Sequence, residues 1–580
     1  MLLRRHWRLL LAAVLVLLLL LAGWYAYLAY KVADDLNAAV DDAEDARAAL
    51  TAGETERATA LLDDVAERSR SAADRTSGLS WSAATVLPLV GDDASGVRTA
   101  SQVVADLADS GLAEIIEAAD SVDALAPQDG RVDLDLVADL QAPLAEAADA
   151  LAEADAKLAE EDSSGFLGRL RTQYDELAAA ISDAAGILDT ASTAADVMPV
   201  MLGADEPRSY LLVFQNNAEA RASGGLPGSA AVLTADEGRL SLERQFAGAA
   251  FGARDEPILP LTSAELQLYG PLLGTDFRDA NFTPDFARAA ELWSARWEEE
   301  FPADTLDGVA TLDTVALSYL MRGMDPLEVQ GVTLTADNVV EELLAEVYER
   351  FEQPALQDAF FQEVATTVFT EAVGGGVAPR ELLPALRDAA DEGRALVTVD
   401  DPVVLERLGD AQILGPDLEG ERDADTYFVA VNATTSGKLT YYLRFRSRLN
   451  TTYCSDGRQA STLNVSLESQ VPEDAASLPE YVLGPIQKGY EPGEQSVKLR
   501  LFTPHGGQIG QGMRDGAPTD VRYQQQGDRV VAEVVIALKP GESVEYAFRT
   551  VAPGRDTAGV WTTPTIDGPG GLETKETGCE

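Results

Sequence analysis

Residues Tyr210–Ser229 read YLLVFQNNAEARASGGLPGS. Ser209 to Gln215 is a compact apolar run with no helical spacing, and such runs bounded by turn residues read as buried strands. A second run, Ser229 to Thr234, and a third, Leu240 to Phe246 after Gly238, repeat the pattern. Helical patterns follow at 284–300, 313–323, 335–351, 354–373 and 379–393, with short strands expected at Gly308–Leu312 and Ala395–Val399. Strands interleaved with helices predict an α/β sheet domain over 205–424. Thr283-Pro284-Asp285 reads as a helix opening with Thr283 as N-cap.

Outward from this region the patterning changes twice. Towards the N-terminus, Leu140, Leu144, Ala147, Leu151, Ala154 and Leu158 fall at spacings of four and three, as do Leu170, Tyr174, Leu177, Ile181, Ala184, Leu188 and Ala191. Narrow apolar seams joined by the Asp162–Gly168 turn predict an antiparallel helical bundle or stalk over 31–204. Towards the C-terminus, alternation takes over. In KLTYYLRFRSR, Leu439, Tyr441, Leu443 and Phe445 are expected on one face of a half-buried strand, and similar segments up to Phe548 predict a β-sandwich over 425–580. The fold class expected is therefore multidomain α+β.

Leu9 to Ala29 carries no charge and is long enough as a helix to span a bilayer, at about 31 Å. Arg4, Arg5 and Arg8 precede it. This predicts a cytoplasmic tail over 1–8 and a transmembrane helix over 9–30, with the remaining chain extracytoplasmic at the cell membrane. Cys454 and Cys579 are the only cysteines, and one disulfide between them is expected in that compartment.

Composition removes several classes of function. The 580 residues carry 44 Lys plus Arg against 97 Asp plus Glu, a formal charge of −53, which opposes binding to nucleic-acid backbones. With His6 and His505 the only histidines, a His-based triad or multi-His metal site is excluded. Chemistry would rest on carboxylates, Arg, Ser/Thr or a hard cation. Two segments supply such groups. Asn216, Asn217, Glu219, Arg221, Gly224 and Gly225 lie in one expected loop, where glycine backbone and an Arg fork suit a phosphate. A capped turn with Arg221 paired to Glu219 is the plainer reading of the same residues. Asp276, Asp279 and Asp285 offer oxygen ligands to Mg²⁺, or equally are caps and exposed acids.

YLLVFQNNAEARASGGLPGS, DANFTPDFARAAELW, LDGVATLDTVALSYLM and DNVVEELLAEVYERF, with Tyr453-Cys454 and Cys579, resemble a bacterial membrane-anchored family known as domain of unknown function 4012. The likeness covers about 205–400 and implies a single-pass envelope protein. More distantly the order resembles LytR-CpsA-Psr envelope proteins, which move polymers from polyprenyl-pyrophosphate carriers to the cell wall. That likeness implies a LytR-like α/β domain and a phosphate-holding role for Arg221, while VYERFEQPALQDAFFQEVATTVF keeps only Arg350. Two readings follow. The leading one is an envelope protein that binds a cell-envelope component such as a glycan or polyprenyl phosphate. The other is a Mg-dependent phosphotransferase moving glycan from a polyprenyl-pyrophosphate carrier.

Overall fold

The computed structural model describes residues 23–43, 45–46, 49, 54–87, 90–109, 127–128, 130–377, 379–454, 457–486, 488–554, 559–567 and 572–574. The chain divides into two compact units, one formed by 1–124 and 135–196, the other by 125–134 and 197–580. The expected cytoplasmic tail and most of the expected transmembrane segment lie outside the described residues, as does Cys579. Among the described residues no helix is long and apolar enough to cross a membrane.

The first unit is helical. Its longer helices include Thr55–Ser77, Gly91–Asp109, Leu134–Ala159 and the start of Gly168–Met201. The seam from Leu140 to Leu158 is buried at every position named above, and of the second seam Tyr174, Leu188 and Ala191 are buried. The turn between them is closed by Asp162, which accepts a bond from the Ser164 amide. Tyr174 closes it from the other side, with its ring edge-on to Phe166 and its hydroxyl donated to the Leu158 carbonyl. Glu54 is the N-cap of Thr55–Ser77 and makes no side-chain cap.

The second unit is built on a five-stranded sheet, ordered β3 (Arg239–Ala247), β2 (Gly224–Asp236), β1 (Arg208–Arg221), β4 (Gly308–Asp313) and β7 (Ala395–Val399). β1 and β4 run parallel, Tyr210 opposite Gly308 and Gln215 opposite Asp313; the other neighbours are antiparallel. Both faces are covered, which is why β1 reads as a continuous apolar run rather than an alternating one. Leu211 and Val213 face a core with Phe251, Phe277, Trp293 and Trp297, the last two from helix Phe286–Glu300. Leu212 and Phe214 face the other way, towards helices Thr314–Leu320 and Pro354–Val373. A small hairpin, β5 (Leu327–Val329) and β6 (Val332–Leu334), packs beside the second of these helices.

Residues 427–574 form two further sheets. One includes Tyr427–Ala433, Gln495–Phe502, Arg522–Gln526 and Arg529–Leu538; the other includes Leu443–Tyr453, Arg458–Ser469 and Ser543–Pro553. Their inner faces share one core in which Val429, Val431 and Leu499 meet Phe445, Leu463 and Phe548. The opposite face of the first sheet, through Phe428, Ala430, Phe502 and Val531, joins the core of the five-stranded sheet, so the two regions are fused within one unit.

Two local expectations are corrected. Leu439–Tyr442 is a 3₁₀ turn, not strand, and the alternation begins at Leu443, where Leu443, Phe445, Ser447 and Leu449 point inward. The turn is held because Thr440 bonds both the Ala218 carbonyl and the Ala220 amide, which draws it away from the sheet. The helix after Thr283 starts two residues later than expected. Asp285 is its N-cap and accepts the Arg288 amide, while the Thr283 hydroxyl accepts the Asp285 amide.

Candidate functional site

Asn216 to Gly228, expected as a loop, is part of a long hairpin. β1 runs on to Arg221 and β2 begins at Gly224, leaving Ala222 and Ser223 as a two-residue turn that is fully buried. Its backbone is received by distant side chains: the Ala222 amide donates to Asn432 and its carbonyl accepts from Thr563. The glycines serve the hairpin itself. A Cβ on Gly224, where φ is +132°, would fall 1.6 Å from the Gln215 side-chain oxygen. One on Gly225 would lie 2.3 Å from the Asn216 carbonyl. The close approach they permit is to their own strand partner.

Arg221 is spent inside this structure. Its Nη2 lies 2.9 Å from both Glu219 Oε1 and Asp279 Oδ1, its Nε donates to Asp279, and the guanidinium stacks over Phe282. Glu219 also accepts from Lys438 Nζ at 2.9 Å. Burial works against the Glu219 carboxylate, but Lys438 and Arg221 outweigh it and hold its pKa below the ordinary value. Asp279 goes the other way, raised by burial despite Arg221. Lys438 is held charged by Glu219 although burial opposes it. Asn216 donates to the Tyr348 hydroxyl at 2.6 Å and Asn217 to Asp313 at 2.7 Å. Of the six residues expected to hold phosphate, the hairpin thus brings all together, with the plainer reading of Arg221 the one observed.

The three acids expected to hold Mg²⁺ do not converge. Asp276 makes a two-pronged bond to Arg278, Asp279 is taken by Arg221, and Asp285 caps its helix. Among the described residues no group of three His, Cys, Asp or Glu side chains is placed to hold a metal ion. The reason lies in the 3₁₀ turn Phe277–Phe282, which turns each carboxylate to a different neighbour. Asp285 has its own consequence. Burial, with Asp417 and Glu419 nearby, raises its pKa to about 6. A raised acid favours the folded state only while protonated, so its contribution is present below the unfolded value and lost as pH rises through about 6. Asp285→Asn keeps a capping oxygen. The variant should therefore gain on wild type in urea midpoint from pH 4 to pH 7; a gap that narrows over that range refutes the assignment.

The expected sites leave out an apolar concavity of the second unit. On the second face of the five-stranded sheet, between β1, β2 and β4 and helix Pro354–Val373, lies a cavity of about 300 Å³. A cavity of about 150 Å³ accepts benzene, so this one has room for about twice that. Phe361, Ala365, Phe369 and Ala372 form its wall along one helix stripe that starts at Asp358. From Asp358 to Ala372 the helix wall of this channel rises about 21 Å. Several of its polar groups collect where the parallel pairing of β1 and β4 ends, Gln215 and Asn216 on β1 and Asp313 on β4, with Lys438, Tyr348 and Tyr481 beside them. That is where open α/β sheets hold ligands. A single π-helical turn, Glu342–Glu346, precedes Tyr348 and carries Leu343 into the wall. The signal for the channel was present in the sequence. Helix Pro354–Val373 buries Phe360, Val364 and Val368 in a core and still has Phe361, Ala365 and Phe369 to place, more apolar surface than one stripe needs.

Asp313 anchors the sheet end of this channel. It accepts from Arg394 at 3.0 Å, both side chains fully buried, and from the Ala316 amide that opens helix Thr314–Leu320. Burial raises its pKa even so.

Residues 205–348 match the family model described as protein of unknown function (DUF4012). No curated protein matches the chain.

Proposed function

We propose that the chain is a membrane-anchored envelope protein whose second unit binds an amphiphile by its apolar chain, using the channel under β1 and helix Pro354–Val373. The channel carries this reading: its helix wall rises about 21 Å, its lining is mostly apolar and polar side chains gather where Lys438, Tyr348 and Tyr481 border it, which suits a single-chain ligand. The family match over 205–348 covers β1 to β4 and Tyr348, hence much of the channel but not Lys438, Tyr481 or the main helix wall. The anchor over residues 9–30, the extracytoplasmic placement of the rest and a Cys454–Cys579 disulfide belong to the same proposal, supported by the uncharged Leu9–Ala29 run and the Arg residues before it.

The phosphotransferase reading has less support. Arg221 is enclosed by two carboxylates, and Asp276, Asp279 and Asp285 each have another task. A binding role asks nothing of these groups except that they keep the hairpin in place.

The test is a titration of a dansyl-labelled dodecyl probe into the full-length protein. Saturable binding at one site is expected, and Ala365→Trp, which fills the channel from the helix side, should abolish it while leaving the urea midpoint close to wild type. Equal binding by wild type and Ala365→Trp would overturn the proposal.

A further inference from the structure

The charges around the channel select a head group. Arg278, Asp313, Asp358 and Lys438 border it. Three are neutralised where they stand: Arg278 by Asp276 at 2.8 Å, Asp313 by Arg394 at 3.0 Å, and Lys438 by Glu219 at 2.9 Å. Asp358 is the exception. Among the described residues no hydrogen bond or ion pair includes it; the one cation that acts on it, Lys438, is committed to Glu219. It sits at the first turn of the channel's helix wall, half-buried, and burial raises its pKa.

Two tyrosine rings share this end. Tyr348 and Tyr481 lie with ring centroids 5.5 Å apart, and both border the channel. Lys438 Nζ lies 5.8 Å from the Tyr481 ring centroid, and Asp358, Lys438 and both tyrosines line the same channel. Tyr481 is 42% exposed, so this end opens to solvent. An anionic head group entering here would meet an unpaired carboxylate in a chain of net charge −53 and find its nearest cation already engaged. An ammonium group would find a carboxylate and two ring faces, the combination that recognises alkylated amines.

We infer that the channel takes a single-chain amphiphile with an ammonium head group, held at its polar end by Asp358, Tyr348 and Tyr481. The inference rests on the channel being an apolar-chain site. Asp358 sets the sign of the charge accepted, the rings set the preference for an alkylated cation, and the helix stripe beyond takes the tail.

The experiment compares dodecyltrimethylammonium, dodecyl phosphate and dodecyl maltoside, each below its critical micelle concentration, by calorimetric titration of the full-length protein. The ammonium probe should bind tightest. Asp358→Asn should weaken it about tenfold, the scale of one charge-assisted contact, and leave dodecyl phosphate unchanged or tighter. Asp358 has no structural partner to lose, so the variant should unfold at the wild-type urea midpoint. Wild-type preference for the phosphate or maltoside probe, or equal ammonium binding by Asp358→Asn, overturns the head-group assignment while the channel reading stands. If none of the three probes binds to folded protein, the channel reading itself falls and the head-group inference with it.

Discussion

Glu219→Gln should destabilise the second unit by about 3–5 kcal/mol, the largest effect expected of any single substitution here. Among the described residues Glu219 is the one acid paired with both Lys438 and Arg221, and its side chain is 5% exposed against 4% and 6% for theirs. Glutamine keeps the shape but removes the charge, leaving the Lys438 ammonium buried without a carboxylate, whereas Arg221 still has Asp279. The loss should therefore fall mainly on Lys438. A second substitution, Lys438→Met, should recover part of it, because removing both partners of a buried pair costs less than removing one. Urea unfolding of the three variants and wild type reads this directly. A Glu219→Gln loss below about 1 kcal/mol, or a double variant no better than the single, would show that the network contributes little.

Asp313→Ala is expected to rank second, at about 3–4 kcal/mol, because it combines a buried ion pair with a helix cap. Arg394 would keep only Glu392 and the Asp567 carbonyl, and the Ala316 amide would lose its acceptor. Asp313→Asn retains the capping oxygen and should lie between wild type and alanine. Since burial already disfavours the charged form of Asp313, the asparagine variant should lose less than half of what alanine loses. The reverse order in urea midpoints would mean that the charge, not the cap, is what the site needs.

How much of this was legible beforehand depends on where each residue's partners lie. Leu140 to Leu158 recur at spacings of four and three, and that spacing alone placed them in a seam whose named positions are all buried. Apolar content marks the β1 run from Ser209 to Gln215, but not its continuation to Arg221, because Asn, Glu and Gly imitate a loop. Those polar residues are tolerable in a buried strand only through Asp279, Thr440 and Asn432, 58 to 220 positions away. Nothing local announces such partners. The acids of 276–285 were read as possible ligands for the same reason: a sequence shows the carboxylates but not the arginine or amide each will meet. The channel escaped because a helix apolar on two stripes looks like a helix that is simply well buried.

The hairpin tip has a consequence for biogenesis. Ala222 is among the early residues of the second unit, and its amide and carbonyl are met by Asn432 and Thr563, the latter 341 positions later in the chain. During synthesis the hairpin must wait, its polar tip still hydrated, until strand Val560–Thr562 and Thr563 have emerged. Closure of such distant pairs makes folding slow and late. A chain released early, or cut after residue 424, would keep β1 and β2 with no socket for their tip. The region that matches the family model would then be a piece of a fold rather than a fold, and quality control acting on unfinished chains would see this unit as incomplete until Thr563 arrives.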